Sequence, residues 1–82
     1  MNATVKMFAL ARQVAGSESL VVVLPAAEAT VADLRQAIAH QYPALAPLVA
    51  RAVFAVNQEY ADDSTPLPTG ADLACIPPVS GG

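Results

Sequence analysis

The residues best suited to chemistry stand at the end of the chain, in the segment 77–82 (PPVSGG). Glycine has no Cβ, so Gly81-Gly82 fits a channel that is too narrow for any other residue. Pro77-Pro78 has fixed φ angles, which restrict the direction in which this tail leaves the preceding residues. The six residues after Ile76 span roughly 20 Å when extended, at about 3.3 Å per residue. This tail is therefore long enough to enter a partner's active site while the rest of the chain stays outside.

The terminal carboxylate of Gly82 is the group in this tail that can be activated for a covalent reaction. A carboxylate at neutral pH is anionic and a poor electrophile, so another enzyme must first convert it, for example to an acyl adenylate. We expect the chemistry to occur at Gly82, with Val79 and Ser80 passing through the partner's channel. Two terminal glycines also occur without any function, and that alternative stays open on these residues alone.

The other reactive side chains form no recognisable catalytic or metal-binding set. Cys75 has apolar neighbours, which raise the pKa of a thiol, so we interpret it as structural. His40 has no second histidine or cysteine at ligand spacing, and the segment 62–64 lacks the spacing of a calcium loop. We expect no metal site and no catalytic residues, so that the chain is not an enzyme by itself.

Composition limits the class of protein. The chain has 82 residues, 55% hydrophobic and 13% charged, which predicts a single folded domain. The net charge of −3 argues against a nucleic-acid partner and suits a partner with a basic docking surface. The single cysteine excludes an internal disulfide, and no apolar run is long enough to span a membrane, so we expect a cytoplasmic protein.

Hydrophobic periodicity predicts an α+β fold. Thr30 and Asp33 form an N-cap signal, and apolar residues then recur at helical spacing up to Tyr42, before Pro43. Short apolar segments predict strands, the first two of them joined by a short loop as a hairpin. The order is a mixed sheet with one main helix packed across it, a domain over 1–76 and an extended tail over 77–82. The predicted strands are 4–11, 19–24, 52–56, 59–61 and 72–76.

Three segments resemble a known family over essentially the whole chain. They are the ending IPPVSGG, the segment VNQEYA, and the start VKMFALARQVAG with its Phe8 and Arg12. The chain resembles the MoaD/ThiS family of ubiquitin-like sulfur carriers, which includes the small subunit of molybdopterin synthase. It departs from the family in having Gly70-Ala71-Asp72 where Gly-Asp-Glu is usual, a difference confined to a turn.

The resemblance implies a β-grasp (ubiquitin-like) roll and a sulfur-carrying Gly82. In that family a ubiquitin-activating-type adenylyltransferase uses ATP to adenylate the terminal glycine, which then becomes a thiocarboxylate with sulfur from a donor protein. The sulfur goes to cyclic pyranopterin monophosphate to form the dithiolene of molybdopterin. The carrier itself binds no cofactor.

The resemblance also implies a large-subunit partner in a heterotetramer. Phe8, Arg12 and Ile76 are expected at that interface, and residues 77–82 are expected to insert into the large subunit. Three alternatives stay open: sulfur delivery to another pathway such as the thiazole of thiamin, a ubiquitin-like modifier joined to lysines, and an interaction domain with an irrelevant tail.

Overall fold

The fold is built on a mixed sheet of five strands in the order β2-β1-β5-β3-β4. A computed structural model describes residues 1–25 and 28–78 of the chain. In it β1 and β5 run parallel in the middle of the sheet, and every other neighbouring pair is antiparallel. The strands are β1 (Asn2–Met7), β2 (Ser19–Val23), β3 (Val53–Val56), β4 (Glu59–Ala61) and β5 (Leu73–Ile76). The helices are α1 (Ala9–Ala15), α2 (Val31–Gln41) and α3 (Ala46–Val49), with a 3-10 turn at Pro43–Leu45 before α3.

Helix α2 is the main helix, as predicted, and it buries one face against the sheet. Thr30 caps it: the Thr30 Oγ1 accepts from the Asp33 N–H at 3.4 Å, and the Asp33 carboxylate accepts from the Thr30 N–H at 2.9 Å. These two bonds satisfy donors that a helix start leaves unpaired. Val31, Leu34 and Ile38 are fully buried. The predicted α+β roll with a mixed sheet and one main helix is confirmed, and its architecture is that of a β-grasp.

The prediction of a strand over 4–11 was wrong at its C-terminal end. β1 ends at Met7 and the chain enters α1, so a helix rather than a short loop joins β1 to β2. The antiparallel pairing of these two strands is nevertheless present. Gly16 ends α1 in the left-handed conformation at φ 71°, and its N–H donates to the carbonyl of Arg12. Ala11 is the buried residue of α1, so little of this helix is held by the core.

In the second half of the chain the structure agrees more closely with the elements predicted from the sequence. Asn57 and Gln58, at φ 51° and 70°, form a two-residue turn that joins β3 to β4 as a hairpin. The segment 62–70, predicted as a surface loop, is exposed for most of its length. It is fixed at Leu67, which is 4% exposed and whose N–H donates to the carbonyl of Ala29 at 2.9 Å.

Arg35 joins three parts of the fold that are distant in sequence. Its guanidinium donates to the carbonyls of Val49 and Ala52, and it pairs with the Asp63 carboxylate at 2.8 Å. The guanidinium carbon also lies 5.0 Å from the centre of the Phe54 ring. These contacts hold the end of α3 and the loop after β4 against α2. In the part of the chain that the structure describes, no helix has both the length and the apolar character needed to cross a membrane.

The Thr30 cap gives a direct test of α2. We expect Thr30→Ala to lower the free energy of unfolding by about 1 kcal/mol, because the Asp33 N–H loses its acceptor. Urea unfolding followed by circular dichroism measures this change. Thr69→Ala, in the exposed loop, is the matched control and should stay within about 0.5 kcal/mol of the parent chain. Equal effects of the two substitutions would contradict a stabilising cap.

Candidate functional site

The predicted tail begins where β5 leaves the middle of the sheet. Ile76 is the last residue of β5, and it is followed by Pro77, which is buried, and Pro78, which is exposed. Neither proline can donate an amide hydrogen, so sheet pairing stops there. The predicted site residues Val79, Ser80, Gly81 and Gly82 lie outside the described residues. The described part of the tail therefore starts against the folded body and turns to the surface at Pro78.

Phe8 lies beside this point of departure. Its N–H donates to the carbonyl of Cys75 at 3.2 Å, which extends the contact between β1 and β5 by one residue. The Phe8 side chain is 46% exposed although it is large and apolar. Ala9, at φ 52°, adopts the left-handed conformation and turns the chain from the sheet into α1. This turn leaves the Phe8 ring outside the core. The Phe8 backbone lies beside Cys75, next to Ile76 and Pro77, which we call the root of the tail.

One face of the sheet is not covered by α2, and we call it the open face. Opposed residues of neighbouring strands share a face, so strand register identifies its members. Its longest row crosses all five strands, and a second row at the tail root pairs Ile76 with Val53, which is 45% exposed. Tyr60, at the far end of the long row, is 80% exposed. The long row runs Ser19, Lys6, Ala74, Ala55, Tyr60.

Phe8 and Arg12 line one surface depression together with Lys6. Ile76 lies on the open face, opposite Val53. Arg12 is on α1 and pairs with Glu18 at 2.8 Å, with side chains 57% and 79% exposed. Such an exposed ion pair adds little stability, so the Arg12 guanidinium can exchange Glu18 for another carboxylate. The three residues expected at an interface thus lie at one end of the sheet, around the root of the tail.

Cys75 is unsuited to a relay of sulfur. The side chain is fully buried on the core face of β5, beside Phe54. Burial raises the pKa of the Cys75 thiol to about 11, although the nearby Arg35 lowers it in part. A thiol rather than a thiolate is present at neutral pH, and a thiol is a poor nucleophile. This agrees with the structural role predicted for Cys75.

The remaining candidates also have ordinary structural roles. His40 is exposed on α2. The Asp62 carboxylate accepts hydrogen bonds from the side chains of Ser64 at 2.7 Å and Thr65 at 3.1 Å. These hydrogen bonds, chiefly the one from the Ser64 side chain, lower the pKa of the Asp62 carboxyl. The acidic segment is therefore a turn that its own side chains hold together. Within residues 1–25 and 28–78 no three histidine, cysteine, aspartate or glutamate side chains cluster as metal ligands.

Sequence reasoning missed most of the open face. Lys6, Val53 and Tyr60 drew no functional prediction, yet they lie on the same face of the sheet as Ile76. A signal was present in β3, where exposed Val53 precedes buried Phe54, but the two alanines of AVFAV weaken the alternation.

The fold and the root of the tail define a ubiquitin-like protein of the β-grasp class. The model of the ThiS family matches residues 5–82, and the chain belongs to that family. A relative from Chlamydomonas reinhardtii, named molybdopterin synthase sulfur carrier subunit, is 40% identical over 100% of both chains.

Solved structures show the same fold. The crystal structure of SAMP1, a small archaeal modifier protein of Haloferax volcanii, has a TM-score of 0.83 and 31% identity over 100% of both chains. Subunits 1 and 2 of the molybdopterin-converting factor of Helicobacter pylori form a solved complex; a chain of it matches with a TM-score of 0.66 and 25% identity, again over 100% of both chains. The family predicted from the sequence is thereby confirmed.

Burial of Cys75 predicts slow thiol chemistry in the native state. At pH 8 a thiol with a pKa of about 11 has about a hundredfold less thiolate than the same thiol at its ordinary pKa of 9.0. We expect a thiol reagent to label the native chain at least that much more slowly than the chain unfolded in guanidinium. Rapid labelling of the native chain would contradict the structural role.

The same pKa shift predicts a loss of stability in alkali. The unfolded thiol ionises near its ordinary value of 9.0, while the folded thiol stays protonated up to about 11. Deprotonation therefore favours the unfolded state as the pH rises from 9 towards 11. The free energy of unfolding should fall across this range more steeply for the parent chain than for Cys75→Ala. Parallel curves for the two chains would contradict the assignment.

Proposed function

We propose that this chain is a sulfur carrier that acts as the small subunit of a molybdopterin synthase, with Gly82 as the residue that carries the sulfur. The observation that carries the proposal is the root of the tail: the chain leaves central strand β5 at Pro77-Pro78, beside the exposed Phe8 ring. This is the geometry expected of a body that presents a terminal glycine to other proteins. The full-length relative named as such a carrier supports the choice of pathway.

The proposed chemistry takes place at the carboxylate of Gly82. A carboxylate oxygen attacks the α-phosphorus of ATP in the activating enzyme, pyrophosphate leaves, and an acyl adenylate forms. Hydrosulfide released by a donor protein then attacks the acyl carbon, AMP leaves with the former carboxylate oxygen, and a thiocarboxylate remains. The thiocarboxylate sulfur then bonds to a carbon of cyclic pyranopterin monophosphate in place of an oxygen substituent. Water attacks the acyl carbon, which breaks the bond from that carbon to sulfur and restores the carboxylate of Gly82. The activating enzyme uses ATP, and the carrier supplies the acyl group.

The body of the chain contributes recognition in this proposal. The open face has apolar side chains around the tail root and few charges, which suits a partner that buries it. Phe8 and Ile76 would contact the large subunit, and Arg12 would exchange Glu18 for a carboxylate of the partner. The complex of subunits 1 and 2 from Helicobacter pylori supports a large-subunit partner of this kind. We propose a heterotetramer with this subunit.

A mass measurement tests the carrier function. The chain is incubated with its activating enzyme, ATP and a sulfur donor, and its intact mass is then measured. We expect an increase equal to the difference between sulfur and oxygen, located in the C-terminal peptide. The chain without Gly82 should show no increase and keep its free energy of unfolding within about 0.5 kcal/mol, since the last strand ends before the tail. No mass increase in the intact chain with an active enzyme would contradict the proposal.

Replacement of Phe8 tests the docking surface separately. We expect Phe8→Ala to weaken binding to the large subunit by tenfold or more, because truncation of a buried aromatic anchor at an interface typically costs about 2 kcal/mol or more. Titration calorimetry with the carboxylate form of the chain measures this loss. Val23→Ala is the matched control, since Val23 is 56% exposed on the open face but two strands away from the tail root. Equal losses for the two variants would contradict docking around Phe8.

A ubiquitin-like modifier is the second candidate. It is supported by the similarity to the Haloferax volcanii modifier protein. In that function the activated Gly82 would form isopeptide bonds with lysines of other proteins. Tagged chain recovered from its own cells under denaturing conditions distinguishes the two: many covalent adducts at Gly82 favour the modifier, and thiocarboxylate without adducts favours the carrier.

A further inference from the structure

Strand β2 forms an outer edge of the sheet, and its backbone groups alternate in direction. The Leu24 N–H donates to the Met1 carbonyl at 2.7 Å, and the Met7 N–H donates to the Glu18 carbonyl at 2.8 Å. In an antiparallel pair the residues between such bonded positions face the other way. The N–H and C=O groups of Ser19, Val21 and Val23 therefore point away from β1. We call these groups the β2 edge.

This edge has the composition of a strand that pairs readily. Its sequence, SLVVV, is uncharged and rich in β-branched residues, and Val21 and Val23 are 54% and 56% exposed. An edge strand is usually protected by lysine, proline, a bulge or its short length. β2 has no lysine or proline, and its register with β1 is continuous over five residue pairs. The other edge strand, β4, is only three residues long.

Side chains occupy nearly all of the β2 edge. Gln41, at the end of α2, bonds both groups of Val23: its Nε2 donates to the carbonyl at 2.7 Å, and its Oε1 accepts from the N–H at 2.9 Å. One side-chain amide thus takes the place of a residue in a neighbouring strand. The Tyr42 hydroxyl donates to the Val21 carbonyl at 2.8 Å.

The start of the strand is closed in the same way. The Ser17 hydroxyl donates to the Ser19 carbonyl at 2.7 Å and accepts from the Ser19 N–H at 3.4 Å. Of the groups that form the β2 edge, this leaves the Val21 N–H. Three side chains from two different segments therefore satisfy the backbone that a further strand would need.

We propose that β2 is a latent pairing edge for a second copy of this chain, and that Ser17, Gln41 and Tyr42 hold it closed. Two β2 strands can pair antiparallel about a twofold axis with Val21 opposite Val21 and Ser19 opposite Val23. In this register no charged side chain faces another, and the backbone N–H and C=O groups of the β2 edge in one copy lie opposite those of the other. The closure keeps the chain available to partners through the open face, which is a different surface. The inference does not depend on the proposed function.

The test opens the edge and measures association. In Gln41→Ala with Tyr42→Phe, the Tyr42 ring keeps its packing while the bonds to Val23 and the Val21 carbonyl are lost. We expect sedimentation equilibrium to show a mass that rises with concentration by up to about twofold over the parent chain. Gln36→Ala is the matched control, because Gln36 is exposed on the same helix and makes no bond to β2 in the described residues.

A third substitution identifies the surface involved. Val21→Lys, added to the double variant, should restore the mass of the parent chain, because a charge on an edge strand opposes pairing. Association that survives Val21→Lys does not run through β2 and would overturn the proposal. A double variant that is folded by circular dichroism and keeps the mass of the parent chain would overturn it equally.

Amide exchange tests the closure without relying on association. In Gln41→Ala alone, the Val23 amide should exchange at least tenfold faster, while the Leu20 and Val22 amides, which face β1, stay unchanged. If the double variant fails to fold, this single variant carries the association measurement as well. Unchanged exchange at Val23 would show that Gln41 does not close the edge, and would overturn the proposal.

Discussion

The structure depends on the parallel pairing of β1 with β5, in which residues 5–7 lie beside residues 73–75. Parallel neighbours cannot be joined by a tight turn, and here residues 8–72 form the connection between the two strands. That pairing places the first and last strands side by side in the middle of the sheet. The bond from the Phe8 N–H to the Cys75 carbonyl is its last contact. The root of the tail and the exposed Phe8 ring are neighbours only because the first and last strands pair.

Local signals predicted the elements that are fixed locally. Thr30 and Asp33 predicted α2 because a capping box needs only residues three apart. β3 and β4 were predicted as strands, although not as a hairpin. Helix α1 was missed because seven residues carry too little periodicity to distinguish a helix from a strand. It also starts with Ala9 in a left-handed conformation that no residue type signals, and only Ala11 is buried. The parallel pairing itself has no local signature, and the resemblance to a family supplied it.

The candidate site likewise has one part that the sequence indicated and one part that it did not. The tail was a prediction from the sequence alone, because its chemistry lies in consecutive residue types, and its residues 79–82 lie outside the described residues. The open face was not predicted, because its long row takes one residue from each of five strands. Lys6 and Tyr60 lie far apart in sequence and share one row only through the register of the sheet. A surface of this kind can be found once the strand order is known.

The sheet offers two kinds of surface to other proteins, and the chain treats them in opposite ways. Backbone groups on the β2 edge are bonded by Ser17, Gln41 and Tyr42, whereas Phe8 and Val53 on the open face are left uncovered. Pairing through backbone groups is the same for any strand and selects little. Contact through side chains depends on shape and charge, so it can select a partner. A body whose cysteine is buried adds no competing thiol, so a partner that recognises the open face meets one reactive group, at the end of the tail. For the proposed carrier, selective docking is the property that the fold must supply.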